Sequence, residues 1–539
     1  MLNSNLKELF EETISIDDIY YDSTGKIRLV KARYVEKDGE VYLEKDNGTE
    51  ERIGSLEYWE RINKFKAKRV TNINTSIKFS KECLSCGLCT NHKNKTALLN
   101  IVLTNRCDLR CWYCFFYSEK SRFVYEPSLE EIEKMLISAR RMNGYTPPIQ
   151  LTGGEPTLRK DLKEIIELAK KYGSPHIQLN TNSVSIGIDY YNNREETVKK
   201  LKEWRKAGLN SIYTSFDGFS FKTNPKNYFE IPYAFKAYRE SGLTSIVLVP
   251  TILKSNLHEV ADIIRFAVKN SDIVRGVNFQ PISLVGMASK SERDRIRVVQ
   301  SDIVDELKKL NLAMKDFFPV SSVQFLADLI GKGEHVTFYN NEKCGLATYL
   351  FFDEDGSIKP ITTYVDVDGF LNFVERFSTV EGKVSTFFEL GYSALKEGSF
   401  RKALLKKLKE YIIEDELPSG VRLSKILENI INKRDYKSLG DFHYNSLFVG
   451  MMHFMDPYNY DVNRVQRCSI HYGSPDGRII PFCTFNVFPN IYRDSIMKVY
   501  RKDENVAKDL VEEEKIAAKK VVDFRKNVDL DYVKSFYKI

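Results

Sequence analysis

Cysteine is the residue type in this chain best suited to hold a redox-active metal centre, and its nine copies are not scattered. Cys83, Cys86 and Cys89 are followed by Cys107, Cys111 and Cys114, six thiols within 32 residues; the others are Cys344, Cys468 and Cys483. The opening MLNSNLKELFEE lacks the charged-then-apolar pattern of a secretion signal, and no stretch reaches about 18 uninterrupted apolar residues. The expectation is a cytoplasmic protein whose close thiols are metal ligands rather than disulfides. Cys107, Cys111 and Cys114 follow an apolar strand as C-x3-C-x2-C. Three thiolates so close do not complete a four-thiolate site. They suit a 4Fe–4S cluster whose fourth iron stays open, able to chelate a ligand and pass it an electron. A zinc knuckle is the competing reading.

The elements that must position these thiols are legible as alternating patterns. From Leu98 the chain runs strand LLNIVLT, helix SLEEIEKMLISARRM, strand IQLTGG, helix LKEIIELAKKYG, strand IQLNTN and helix ETVKKLKEWRKAG. It continues with strand SIYTSFDG, helix YAFKAYRESG, strand SIVLVPTI, helix LHEVADIIRFAVKN and strand GVNFQPI. Six such units predict right-handed crossovers and a parallel sheet, too few for a closed eight-fold barrel and so an open, partial one. Upstream, KIRLVKARYVEKDGEVYL alternates around Asp38-Gly39 as a β-hairpin. The fold class is α/β, with an N-terminal hairpin and cysteine-loop region over 1–95 and the partial (β/α)6 barrel over 96–290. A helical connector over 291–340 leads to a C-terminal domain over 341–500, with a helical insertion near 380–440, and 501–539 carries a final helix. At 539 residues with 42% hydrophobic and 29% charged side chains, the chain is neither disordered, collagen-like nor a disulfide miniprotein. Its net charge of +7, from 81 Lys+Arg against 74 Asp+Glu, is too dilute to predict a nucleic-acid partner.

The Cys107 motif, with Tyr113 as its aromatic, resembles the signature of the radical S-adenosylmethionine (radical SAM) superfamily. The second strand ends in Thr152-Gly153-Gly154-Glu155-Pro156, where glycine backbone and a carboxylate can hold an ammonium group. The resemblance implies that Gly153, Gly154 and Glu155 bind the methionine end of SAM. It also implies SAM contacts from Asn182 in Asn180-Thr181-Asn182, Ser215 and Asp217 in SFDG, and Gln280 in NFQP, all at strand ends where barrel enzymes place their chemistry. Such an enzyme cleaves SAM reductively to a 5′-deoxyadenosyl radical that takes hydrogen from carbon, the cofactor supplying the hard chemistry. It needs an electron donor such as ferredoxin or flavodoxin.

The other six cysteines divide into two further triads, Cys83/Cys86/Cys89 and Cys344/Cys468/Cys483, read as ligands of two auxiliary clusters. One four-cysteine cluster with two spare thiols is the alternative. His92 stands at a spacing suited to a fourth ligand, or else is a loop histidine. CGLATYLFFDEDGSIKPI and CSIHYGSPDGRIIPFC read as diverged Cys–hairpin copies, the first lacking its closing cysteine at Ile361-Thr362. The order C-x2-C-G-L-C-x2-H, C-x3-C-W-Y-C, GGEP and PFCTFN-x6-YR is similar to that of the archaeal tetraether lipid synthase family, without the cysteine pairs that flank the N-terminal hairpin of relatives. That resemblance implies C–C bond formation between isoprenoid chains of archaeal ether lipids. It also implies two SAM cleavages per bond and a substrate carbon held on an auxiliary-cluster sulfide, assigned here to Cys344/Cys468/Cys483. LFVGMMHFM (447–455) reads as an apolar tunnel wall or ordinary core, and FRKALLKKLKEYII (400–413) as a helix resting on the inner membrane surface or a solvated one. The alternative function is modification, such as methylation, of a pterin-like small molecule, for which a polar pocket would speak. A third reading is an electron-transfer or scaffold protein without catalysis.

Overall fold

The computed structural model describes residues 11–66, 92–114, 116, 123–285, 288–324, 339–353, 356–378, 400–414, 417, 421–429, 442 and 444–538. Cys83, Cys86 and Cys89, with much of the insertion expected near 380–440, lie outside the described residues. The N-terminal residues form an antiparallel sheet of β1 (Glu12–Ile16), β2 (Leu29–Lys37), β3 (Glu40–Lys45) and β4 (Glu50–Ser55), paired in that order. The hairpin at Asp38-Gly39 joins β2 to β3. Both turn residues are left-handed, with φ 54° and 81°, the two-residue turn whose twist matches its strands.

Six parallel strands follow at the apolar runs read as strands. They are β5 (Leu98–Thr104), β6 (Ile149–Gly153), β7 (Ile177–Thr181), β8 (Ser211–Ser215), β9 (Ile246–Val249) and, after the short β10 (Thr251–Ile252), β11 (Val274–Pro281). The intervening helices bury stripes at helical spacing, such as Leu162, Ile165, Ile166 and Ala169 or Val260, Ile263, Ile264 and Ala267. These stripes share one core with Leu99, Ile101, Ile149, Leu151, Ile177 and Leu179 of the strands. Successive strand residues face opposite ways, so the same strands turn Asn100, Gln150, Gln178 and Asn180 to the other side.

The C-terminal region shares this sheet. It contributes β12 (Phe318–Pro319), β13 (Gly345–Phe352), β14 (Ile358–Pro360), β15 (Leu447–Met452), β16 (Ile470–Gly473) and β17 (Ile479–Pro481). β15 pairs in parallel with β11 at one edge, and β16 pairs in parallel with β5 at the other. Antiparallel β13 and β17 extend those edges, giving a mixed sheet ordered β12-β13-β15-β11-β9-β8-β7-β6-β5-β16-β17. The two Cys–hairpin segments are the hairpins β13–β14 and β16–β17, set on opposite edges.

The last long helix, Glu504–Asn527, lies over the loop that follows β5. Arg106 donates to the Leu510 carbonyl at 3.2 Å, the Cys107 N–H to Glu514 at 3.3 Å, and Arg525 pairs with the buried Glu230 at 2.7 Å. Among the described residues no helix is long and apolar enough to cross a membrane. The helix Phe400–Lys409 turns Ala403, Leu404 and Leu408 onto Phe370, Leu371, Phe373 and Val374. The apolar face read as resting on a membrane is thus covered by protein.

Candidate active site

The ends of the parallel strands open into one cavity of about 600 Å³, and both described cysteine triads stand on its wall. Cys107, Cys111 and Cys114 reach it from the loop after β5, and Cys344, Cys468 and Cys483 from the C-terminal segments. Cys344 closes a short turn before β13, Cys468 follows the helix Val462–Gln466, and Cys483 sits in the helix Phe482–Val487. Between the triads runs a stack of rings. Phe454 lies 4.3 Å from Phe482, Phe482 5.1 Å from Tyr472, and Tyr472 4.2 Å from Phe485. Tyr472 is within electrostatic reach of both Cys114 and Cys483.

The Gly153-Gly154 step holds the Cys107 loop by close backbone approach. Gly154 N–H donates to the Thr104 carbonyl and Glu155 N–H to that of Arg106, both at 2.8 Å. A Cβ on Gly154 would lie 2.1 Å from the Arg106 oxygen, and one on Gly153 2.3 Å from the Thr104 oxygen. Only glycine permits this approach, and it leaves the backbone of both residues on the cavity wall.

The Glu155 carboxylate is held by the protein at the ends of β6 and β7. It turns away from the cavity and accepts from Thr157 N–H (3.0 Å), the Thr157 and Thr181 hydroxyls (2.6 and 2.7 Å) and Asn182 N–H (2.8 Å). Burial, then the neighbouring Asp108, pushes Glu155 up to about 7, against these four donors, which favour its charged form. The carboxylate therefore locks the ends of β6 and β7 together, and the cavity receives backbone instead.

The other expected SAM contacts gather at the same place. Asn182 lines the cavity and donates from Nδ2 to Asp108 at 2.7 Å. Asn227 Nδ2 ties the Asn182 carbonyl (2.7 Å) to that of Ser215 (2.8 Å). Ser215, Gln280 and Tyr113 line the cavity. Asp217 is buried behind it, accepting from the Tyr113 hydroxyl at 2.7 Å and Thr251 N–H at 2.7 Å. Lys226, which the sequence motifs do not single out, lies 3.1 Å from Asp217 and 4.9 Å above the Tyr113 ring. After Asp217, its ammonium is within electrostatic reach of Cys111 and Cys114.

Away from the thiols the cavity floor is polar. Asn100 donates to the His471 carbonyl (3.2 Å), Gln150 to Asn100 (2.8 Å) and Gln178 to Gln150 (2.6 Å), an amide ladder across β5, β6 and β7. Across the sheet Asn278 donates to Tyr213, while its Oδ1 is buried with no partner among the described residues. These amides were missed in the sequence because each is one polar residue in an apolar strand. Alternation is the signal that would have found them, with Asn278 and Gln280 on the same face of β11. β15 divides the 447–455 stretch in the same way. Leu447, Val449 and Met451 enter the core, while Phe448, Met452, His453 and Phe454 line the cavity. His92 is not a solvated loop residue. It is buried with Nε2 2.9 Å from the Cys468 carbonyl and 3.2 Å from His471 Nε2, and His471 Nδ1 meets Thr96 at 2.9 Å.

Thiols are the donor type that iron–sulfur clusters take. Burial pushes Cys111 up to about 12 and Cys483 up to about 11, and raises Cys107 and Cys468, so metal is required to draw thiolates here. A stability prediction follows. The unfolded thiols ionise near 9.0 while the folded ones keep their protons, so apo-protein stability present below pH 9 is lost as pH rises from 9 towards 11 to 12. Urea titrations of apo-protein at about pH 8 and about pH 10 should show the fall, with a smaller one once iron has ionised the thiols. Equal falls in apo- and iron-loaded protein would contradict it.

Comparison with known proteins agrees with this chemistry. Residues 101–267 match the model of the radical SAM superfamily. The 7,8-dihydro-6-hydroxymethylpterin dimethyltransferase of Methanocaldococcus jannaschii is 39% identical over 85% of this chain and 91% of its own length. The GTP 3′,8-cyclase of Aquifex aeolicus is 32% identical over 41% of this chain and 65% of its own. Among solved structures, anSMEcpe with bound AdoMet matches with a TM-score of 0.32 and 18% identity, over 45% of this chain and 63% of that one, a likeness too slight to argue from. The expected coupling of ether-lipid chains is overturned here, because the relative that spans most of both chains is a pterin dimethyltransferase.

Proposed function

The chain belongs to the radical SAM superfamily, in the family of its Methanocaldococcus jannaschii relative, and from that premise we propose that it methylates a pterin-like small molecule. The observation that carries this reading is the amide-floored cavity reached by both described cysteine triads. A pterin ring is flat and edged with N–H donors and ring-nitrogen and carbonyl acceptors. Asn100, Gln150, Gln178 and Asn278 offer the matching groups, and Phe448 and Phe454 offer apolar faces. An isoprenoid chain would leave Asn278 Oδ1, which has no partner among the described residues, unpaired.

The parallel strands serve as a six-unit partial barrel. Cys107, Cys111 and Cys114 hold a 4Fe–4S cluster, and the family uses SAM. When bound, these supply a carbon-centred radical able to take hydrogen from an unactivated C–H group. The chain's own residues orient and exclude. The backbone of Gly153 and Gly154 with Asn182, Ser215, Gln280 and Tyr113 would hold SAM, with Asp217 behind them. The ring stack from Phe454 to Phe485 keeps water from the reacting carbon. Cys344, Cys468 and Cys483 would carry an auxiliary cluster, and Cys83, Cys86 and Cys89 another. Electrons would come from a low-potential donor such as ferredoxin or flavodoxin.

The test is anaerobic incubation of iron-loaded protein with reductant, 7,8-dihydro-6-hydroxymethylpterin and SAM labelled in its methyl group. Mass spectrometry should find pterin heavier by methyl groups, the label showing whether SAM or another one-carbon donor supplies them. Adding Cys468→Ala should abolish methylation and leave SAM cleavage measurable. Unchanged pterin beside active SAM cleavage would refute the assignment.

A further inference from the structure

Two buried groups near the C-terminal triad lack protein partners among the described residues. His453 follows β15, and its backbone N–H donates to the Cys344 carbonyl at 3.0 Å. Two residues on, Met455 N–H donates to Cys483 Sγ at 3.5 Å, so the 453–455 segment runs from one cysteine to the next. The His453 side chain is 2% exposed and lines the cavity, and its Nε2 meets no hydrogen-bond partner. Arg464, also 2% exposed, lines the cavity and donates from Nη2 to the His453 carbonyl at 2.6 Å, and its Nε has no partner.

A buried arginine ordinarily faces a carboxylate. Asp461, the nearest candidate, is already engaged by the Thr13 hydroxyl at 2.6 Å, the Tyr34 hydroxyl at 2.5 Å and Asn463 N–H at 2.8 Å. The foremost counter-charges of Arg464 are Cys344 and Cys483. Asp461 is also within electrostatic reach, so thiolates held on a metal would add a second counter-charge beside that carboxylate. Three thiolates on an oxidised 4Fe–4S core leave one net negative charge, which one guanidinium matches. A neutral imidazole as fourth donor preserves that balance, whereas a fourth thiolate or a carboxylate would double the charge.

We infer that His453 Nε2 is the fourth protein ligand of an auxiliary cluster held by Cys344, Cys468 and Cys483, with Arg464 its counter-charge. The inference rests on the reading that this triad carries a cluster. It makes the cluster site-closed: every iron has a protein donor, and substrate does not bind there. Imidazole in place of thiolate raises a cluster's potential, so this centre accepts an electron more readily than the SAM cluster.

The experiment uses the full chain with Cys107, Cys111 and Cys114 changed to Ala, leaving only auxiliary clusters. Iron content is compared with and without an added Cys468→Ala. If iron is unchanged, the triad carries no cluster and that reading falls. With the cluster present, pulsed EPR of the reduced protein grown on 15N-histidine should show nitrogen coupling that scales with the isotope. His453→Ala should abolish that coupling. His453→Cys should retain the iron without the coupling, which separates ligation from collapse of the fold. No isotope-dependent coupling in the parent, or coupling that persists in His453→Cys, overturns the inference.

Discussion

Gly154→Ala is expected to cost the protein the iron of its SAM cluster and to lower 5′-deoxyadenosine output at least ~100-fold, the usual consequence of a misplaced catalytic group. The new methyl would sit 2.1 Å from the Arg106 carbonyl oxygen, a contact that backbone rather than a flexible side chain must relieve. Arg106 has little freedom to move. Its guanidinium is buried against Glu126 and donates to the Leu158 and Leu510 carbonyls, and the next residue is Cys107. Relief therefore shifts the cysteine loop itself. The strain, about 1–3 kcal/mol for overpacking of this kind, falls mostly on that loop and leaves the rest of the fold standing. Iron analysis and SAM-cleavage assays on the purified variant check this, and normal iron with normal cleavage would show that the close approach is not required.

Asn278→Leu carries the second large effect and separates substrate recognition from SAM chemistry. Asn278 Oδ1 is buried at the cavity without a partner among the described residues, an acceptor that the proposed function assigns to a ring N–H. Leucine removes it and faces the substrate with a side chain that cannot accept. An unpaired buried donor costs about 1–3 kcal/mol, so the KM for the pterin should rise about 10–100-fold. Substrate-free SAM cleavage should stay near its starting level. Asn278→Asp keeps an acceptor and should retain most of the affinity. Equal losses in both variants would point to damage at Tyr213, the partner of Asn278, rather than to a lost substrate contact.

Much of the scaffold was readable because parallel β/α units write local signals. The apolar runs at Leu98–Thr104, Ile149–Gly153 and Ile177–Thr181, set off by amphipathic helices and turn residues, give strands almost to the residue. The cysteine spacing and the two glycines were legible for a similar reason, since both demands act over a few residues. What was not legible is long-range. Nothing local in Leu447–Met452 or Ile470–Gly473 says that they join opposite edges of a sheet begun at Leu98. The four donors that Glu155 takes from Thr157, Thr181 and Asn182 come partly from another strand end, which is not written near Glu155 in the sequence. Lys226 lies outside any cysteine or strand-end motif and reaches the thiols only through the loop after β8.

The substrate class shows the same limit. Apolar residues at Phe448, Met452 and Phe454 favoured a lipid when read along one strand. The amides that share the cavity with them come singly from four other strands, and only folding assembles them. A resemblance carried by cysteine order located the cluster chemistry, which depends on those cysteines. It could not fix the substrate.

The central claim is that SAM and a pterin meet in the cavity between the two described triads. The most direct measurement is 5′-deoxyadenosine formed per enzyme, with and without 7,8-dihydro-6-hydroxymethylpterin, in the parent protein and in Asn278→Leu. The account predicts that the pterin raises the yield in the parent, and that the variant needs about 10–100-fold more pterin for the same rise. A yield indifferent to pterin in the parent, with the pterin recovered unchanged, would contradict it.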